Sequence, residues 1–273
     1  MITDTTFFTN EPGYALIDRF KKTLRHVRYF DVLVGYFRTS GFHQLCESFE
    51  SIDKIRILVG LNVDRKAYEI IESVRSRGEF DFETHSKTKR IFSEQTASEM
   101  GESEDSYEIE RGIRKFMEFL TADCVDKDRD TTIGGNGKKM ELRAYPSENI
   151  HAKVYISRFK EGELDFGRVI TGSSNFSESG LIANREFNVE LKDKIDVDFA
   201  LTQFEELWKD GVNISREYVE TVQNKTWLND TITPYQLYLK MLYEYLKEDI
   251  NLDEEIEFDL PEGFMNLEYQ KQA

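Results

Sequence analysis

Cysteine is nearly missing from this chain: Cys46 and Cys124 are the only two in 273 residues, they sit in unrelated helical-looking segments, and no CxxC pair occurs. A disulfide framework and a zinc cluster are both disfavoured on that count. Long apolar runs are missing too. None approaches the ~18 residues that a membrane span needs. The N-terminal MITDTTFFTNEPGYAL has no basic stretch followed by an apolar one, so the chain reads as cytoplasmic, with no membrane partner. Positive charge is in deficit, 36 Lys and Arg against 52 Asp and Glu, a formal −16. That balance argues against a broad basic footprint of the kind that coats nucleic acid. It leaves room for a narrow cleft, where a few convergent donors suffice.

What is present is an alternation of helical and strand patterns. YALIDRFKKTLRHV has helical periodicity and FDVLVGYF is a short apolar run of the buried-strand kind; GFHQLCESFESI and KIRILVGL repeat the pair. Asp64 to about Thr121 reads as helical, interrupted by an exposed acidic loop over 93–106, and 127–139 reads as a turn-rich excursion. MELRAYP, HAKVYIS, RVITGS and EFNVEL then give four strands in quick succession. After Lys194 the chain turns helical: VDFALTQFEELWKD, SREYVETVQNK and TPYQLYLKMLYEYLKE. The last opens on a Thr-Pro cap, and its aromatics at helical spacing read as core. Acidic DINLDEEIEFDLPEG reads as a linker. The expected class is α/β, a mixed sheet with helices on both faces and a C-terminal helical extension.

The stretch NIHAKVYIS carries the chemistry. Positions i and i+2 of a strand share a face, so His151 and Lys153 are expected to project together. Burying that pair under a helix would leave both groups unsatisfied, which favours a cleft. The next strand ends in GSSNFSESG, a small-residue turn whose amides, with Ser173 and Asn175, could ring an anion.

His151-x-Lys153, Gly172-Ser173-x-Asn175-Phe176-Ser177 and Asn184-x-Glu186, in that order, resemble the HKD signature of the phospholipase D superfamily. YISR and RVITGSSNFSESGL are similar to its nuclease branch, and the early strands fit over roughly residues 10–210. The resemblance implies that His151 is the nucleophile and that a phosphohistidine forms. It gives Lys153 and Asn175, with phosphate-binding Gly172 and Ser173, the nonbridging oxygens to hold, and Glu186 the task of orienting the imidazole. It implies no metal and no cofactor. One position departs from the pattern: the Asp expected five residues after the Lys is Arg158 here. Asp165 keeps the usual gap to Gly172 but lies far beyond Lys153, so a hairpin insertion is expected to have displaced it, and it stays outside the catalytic set.

Only one complete motif occurs. His85-Ser86-Lys87 lacks a strand and a GSxN, and His26 and His43 lie on expected helices without a companion Lys. Since a second histidine must protonate the leaving group, the resemblance implies a homodimer sharing one active site across a two-fold axis. The final residues, Leu267-Glu268-Tyr269-Gln270 and Ala273, are similar to the segment that enters the core of superfamily II helicases. The expected organisation is therefore a phospholipase D-like nuclease domain over 1–210, a helical extension over 211–250, and an acidic linker leading into a truncated helicase domain over 251–273. The expected function is a metal-independent phosphodiesterase or endonuclease acting on DNA, tied to a helicase in restriction or phage defence. Two alternatives are a catalytically silent module that dimerises and positions DNA, and a lipid-directed enzyme of the same superfamily.

Overall fold

The run VRYFDVLV becomes strand β2 (Val27–Val34) because it has apolar groups to bury on both of its faces. Phe30, Val32 and Val34 enter a large aromatic-rich core, while Leu33 enters a smaller cluster on the other side. In this computed structural model, residues 5–11, 13–35, 37–60, 82–102, 107–123, 137–146, 150–228 and 234–246 are described. The sheet is completed by β1 (Phe7–Thr9), β3 (Lys54–Gly60), β4 (Met140–Tyr145), β5 (Lys153–Phe159), β6 (Gly167–Gly172), β7 (Phe187–Leu191) and β8 (Val212–Asn213). Its order is β1-β7-β6-β5-β2-β3-β4-β8. β2, β3 and β4 run parallel and every other neighbouring pair is antiparallel. The α/β mixed sheet expected from the sequence is the architecture found.

Helices lie on both faces. One side carries α1 (Leu16–Thr23), the short α2 (Thr39–His43) and α3 (Cys46–Phe49), then α4 (Phe82–Glu102), α5 (Tyr107–Thr121) and α7 (Ser215–Lys225). Phe20, Phe42, Phe49, Phe92, Phe116 and Tyr218 from these helices are all buried in the large core. On the other side α6 (Lys194–Asp210) lays Val197, Phe204 and Trp208 onto Leu33, Leu58, Ile156 and Val169. Beneath α6 runs a row of buried charge. Arg56 pairs with Asp31 and with Glu205 at 2.6 Å, and Arg158 meets the same Asp31 at 3.1 Å. These elements belong to one compact unit, Met1–Asn229; a second, Asp230–Ala273, contains α8 (Pro234–Leu246).

Two expectations are corrected. Residues 93–102 are not loop but the second half of α4. Thr88, Phe92, Thr96 and Met100 form a buried stripe at i+4 spacing, and two threonines in it hid the periodicity. In α8 the aromatics read as core are exposed: Tyr235, Tyr238, Tyr243 and Tyr245 all face solvent. The excursion at 127–136, residues 64–81 of the expected helical stretch, and the linker with its helicase-like segment at 251–273 lie outside the described residues. Among the described residues, no helix is long and apolar enough to cross a membrane.

Candidate active site

Because β5 and β7 run against the parallel trio, the amino ends of β5 and β7 and the carboxyl ends of β2, β3, β4 and β6 share one edge of the sheet. Val34 pairs with Lys153, Val154 with Thr171, and Gly172 with Asn188. The registers therefore bring Lys153, Gly172 and the start of β7, just after Glu186, to one rim. The carboxyl edge of parallel strands is where open α/β sheets bind ligands.

His151 is at that rim but one residue short of the strand: β5 begins at Lys153, and the same-face alternation assumed from sequence does not extend to His151. The segment before it crosses over the ends of two strands. The Gly35 N–H donates to Ala152 O at 2.9 Å. A Cβ on Gly35 would lie 2.6 Å from Ile150 O, and one on Gly60 2.8 Å from the same oxygen. Two glycines thus let the backbone carry His151 over the sheet edge, where the residue is exposed. The half-buried Lys153 turns its ammonium back to donate to His151 O at 3.0 Å.

The turn after β6 is built on close backbone approach. A Cβ on Gly172 would come 2.3 Å from Phe187 O, and one on Gly180 2.4 Å from Asn175 O, so both positions call for glycine. Ser173 exchanges two bonds with Phe187: its N–H donates to Phe187 O at 3.2 Å, and its hydroxyl oxygen accepts from Phe187 N–H at 3.0 Å. The Ser173 amide, one of the donors expected for the turn, is thus spent on the strand pairing, while its hydroxyl proton is not engaged in that exchange. Asn175 is half-buried, and its side-chain oxygen finds no protein partner.

Three residues that the sequence reading passed over support this turn. The Tyr155 hydroxyl donates to Ser174 O at 2.8 Å, and Asn188 Nδ2 donates to Ser174 Oγ at 2.9 Å; all three residues are buried. Burial, and then the charge of Glu186, push the Tyr155 hydroxyl well above the usual phenol range. Among the described residues no hydrogen bond joins Glu186 to the His151 ring and no ion pair joins it to Arg185. A signal for Tyr155 existed, since it stands two residues after Lys153 in a continuous strand.

Asp165 and Arg158 are elsewhere. Asp165 sits in the β5–β6 turn at the opposite edge, paired with Arg168 at 3.3 Å, and Arg158 belongs to the charge row under α6. His85 and Lys87 are on α4, His43 is on α2, and His26 pairs with Glu163 at 2.9 Å. Among the described residues no three His, Cys, Asp or Glu cluster as metal ligands would. A cavity of about 640 Å³, lined by residues such as Lys21, His43, Tyr107 and Arg111, takes in none of the rim residues.

A family model described as "Cardiolipin synthase, PLD-like domain" matches residues 28–208, a span that encloses the whole rim. Among curated proteins the chain is similar to F-BAR domain only protein 2 of Mus musculus, 26% identical over 139 residues; the match takes in 50% of this chain but 17% of that protein. Among solved structures it is similar to a phospholipase D family member, Nuc from Salmonella typhimurium. There the identity is 12% and the TM-score 0.40, over 76% of this chain and 95% of Nuc. NucT from Helicobacter pylori gives 12% and 0.36, over 72% and 90%.

Proposed function

The chain belongs to the PLD-like domain family, and from that premise we propose that it is a phosphodiesterase that cleaves nucleic acid, DNA in the first instance, through His151. The observation that carries the reading is the convergence of His151, Lys153, the Gly172–Asn175 turn and the start of β7 at the carboxyl edge of the parallel strands.

In this reading His151 attacks phosphorus, forming an N–P bond while the P–O bond to the leaving oxygen breaks. Lys153, the Ser173 hydroxyl and the Asn175 amide face the nonbridging oxygens, where charge gathers in the transition state. The proton for the leaving oxygen comes from His151 of the partner subunit, which then takes one from the water that hydrolyses the phosphohistidine. Glu186 closes on the imidazole when substrate binds; bonds that are long in an empty site commonly tighten in the complex. A single motif per chain makes the homodimer part of the proposal. A helicase-type motor downstream, with a role in restriction or phage defence, is a separate part of the proposal and rests on the resemblance at Leu267, Glu268, Tyr269 and Gln270 alone.

The test is cleavage of single- and double-stranded DNA, of a small phosphodiester and of phospholipid vesicles, in the presence of EDTA. Cleavage of DNA that survives the chelator and falls by about 10³-fold or more in His151→Ala supports the reading. Turnover confined to the vesicles would move the protein to the lipid branch. No turnover on any substrate by an intact dimer would leave a DNA-positioning module.

A further inference from the structure

Directly beside the rim is an aromatic pair that the mechanism above does not use. Phe187 follows Glu186, and its backbone is locked to Ser173 by the two bonds already described. On the neighbouring edge strand Thr9 pairs with Phe187 and Phe7 with Val189, so Phe7 and Phe187 are diagonal neighbours on one face. Their ring centroids are 5.6 Å apart with planes tilted by 32°. Phe8, between Phe7 and Thr9, points the other way into the core at 5% exposure, whereas Phe7 and Phe187 are 59% and 61% exposed. The alternation of an edge strand would ordinarily put polar groups on that outer face. Two large rings hold it instead, at the same end of the sheet as the rim residues, on the face that α6 covers and opposite the one to which Lys153 belongs.

We propose that Phe7 and Phe187 form a stacking subsite for an unpaired base of a single-stranded nucleic acid, next to the phosphate held at His151 and Ser173; this deepens the nuclease reading and rests on it. Strands lie roughly 4.8 Å apart, so the pair stands one to two strand spacings from Gly172, within reach of the nucleotide flanking the scissile phosphate. The chain's own chemistry favours a base over other occupants. With a net charge of −16, long-range attraction to phosphate is poor, and contact with the uncharged face of a base is the affinity source that remains. Duplex bases hide their faces in the stack, so the subsite selects single strands, frayed ends or flaps.

The test uses the full chain carrying His151→Ala, so that bound substrate persists, with short single-stranded oligonucleotides bearing 2-aminopurine or an abasic site at successive positions. Stacking predicts quenched 2-aminopurine fluorescence at one position. Phe7→Leu with Phe187→Leu then weakens the intact oligonucleotide by about 5- to 100-fold, the range alanine substitution gives for a stacked base. The same substitutions leave the matching abasic oligonucleotide unaffected, because ring and base are removed as one interaction. Equal affinity of the His151→Ala chain for intact and abasic strands overturns the subsite. A halved mass on sedimentation of the leucine variant also overturns it, identifying the patch as a surface between copies. Failure of the wild-type chain to bind or cut any oligonucleotide overturns the nuclease reading with it, whereas normal cleavage without ring–base coupling removes the subsite alone.

Discussion

Tyr155 joins the candidate site to the core. Its ring packs edge-on against Phe20 at 5.1 Å and its hydroxyl holds Ser174 O, so one phenol ties the turn after β6 to the middle of the molecule. Tyr155→Phe is expected to cost about 1 kcal/mol at neutral pH, the usual net worth of a hydrogen bond, and to lower kcat more than it raises KM, since it loosens the turn without touching substrate. The sign with pH is fixed. The folded-state pKa is raised, so this group's contribution is complete below the unfolded phenol value of about 10 and is lost as pH climbs past it. Denaturant unfolding of both proteins between pH 8 and 11 should therefore show the wild type losing stability faster and the gap closing. That His151, Lys153, Gly172 and Ser173 would stand at one end of the sheet was legible in the sequence, because the motif falls on consecutive strand patterns. Tyr155, Ser174 and Asn188 were not, because their importance lies in which oxygen they reach across strands.

At the level of elements, the path of residues 150–152 over β2 and β3 is the feature most exposed to a single change. Gly35→Ala puts a methyl 2.6 Å from Ile150 O, and the carbonyl must move. Turnover of a small phosphodiester should fall at least tenfold, while the melting temperature drops by only a few degrees, because the displaced segment is the rim and not the core. A rescue by Gly60→Ala, or a global unfolding, would contradict this. The strands were readable as short apolar runs between turns: β3 and β6 fall within a residue of where the patterns put them, and β2 and β5 overlap theirs with both ends shifted. α4 was misread because its inward stripe mixes Phe92 and Met100 with Thr88 and Thr96, and the wet face of an acidic helix looks like a loop. The start of β5 was misplaced because nothing local in HAK says that the ladder with β2 ends at Lys153.

For the molecule as a whole, the question is stoichiometry. Among the described residues of the compact unit Met1–Asn229 there is a single set of rim residues, and the proposed double displacement draws its nucleophile and its acid from two copies of His151. Mixing wild-type chains with His151→Ala chains should then give activity that falls with the square of the wild-type fraction, because a hybrid dimer lacks either the nucleophile or the acid. A linear fall, measured after subunit exchange is complete, would mean that each chain works alone. The mixed sheet with helices on both faces was legible from the order of elements. The pairing of β5 with β2, over more than a hundred residues of sequence, was not, since antiparallel insertion beside a parallel trio leaves no periodic trace.

β5 lies inside the sheet, bonded to β2 on one side and β6 on the other, and its first paired residue is Lys153. Amide protons of Tyr155 and Ile156 should accordingly be among the slowest in the protein to exchange with deuterated solvent, and that of His151 among the fast ones. So steep a change over four or five residues gives the imidazole an anchored base and a yielding tip, which in the proposed reaction would let the ring follow phosphorus as the N–P bond forms while the strand below it stays fixed.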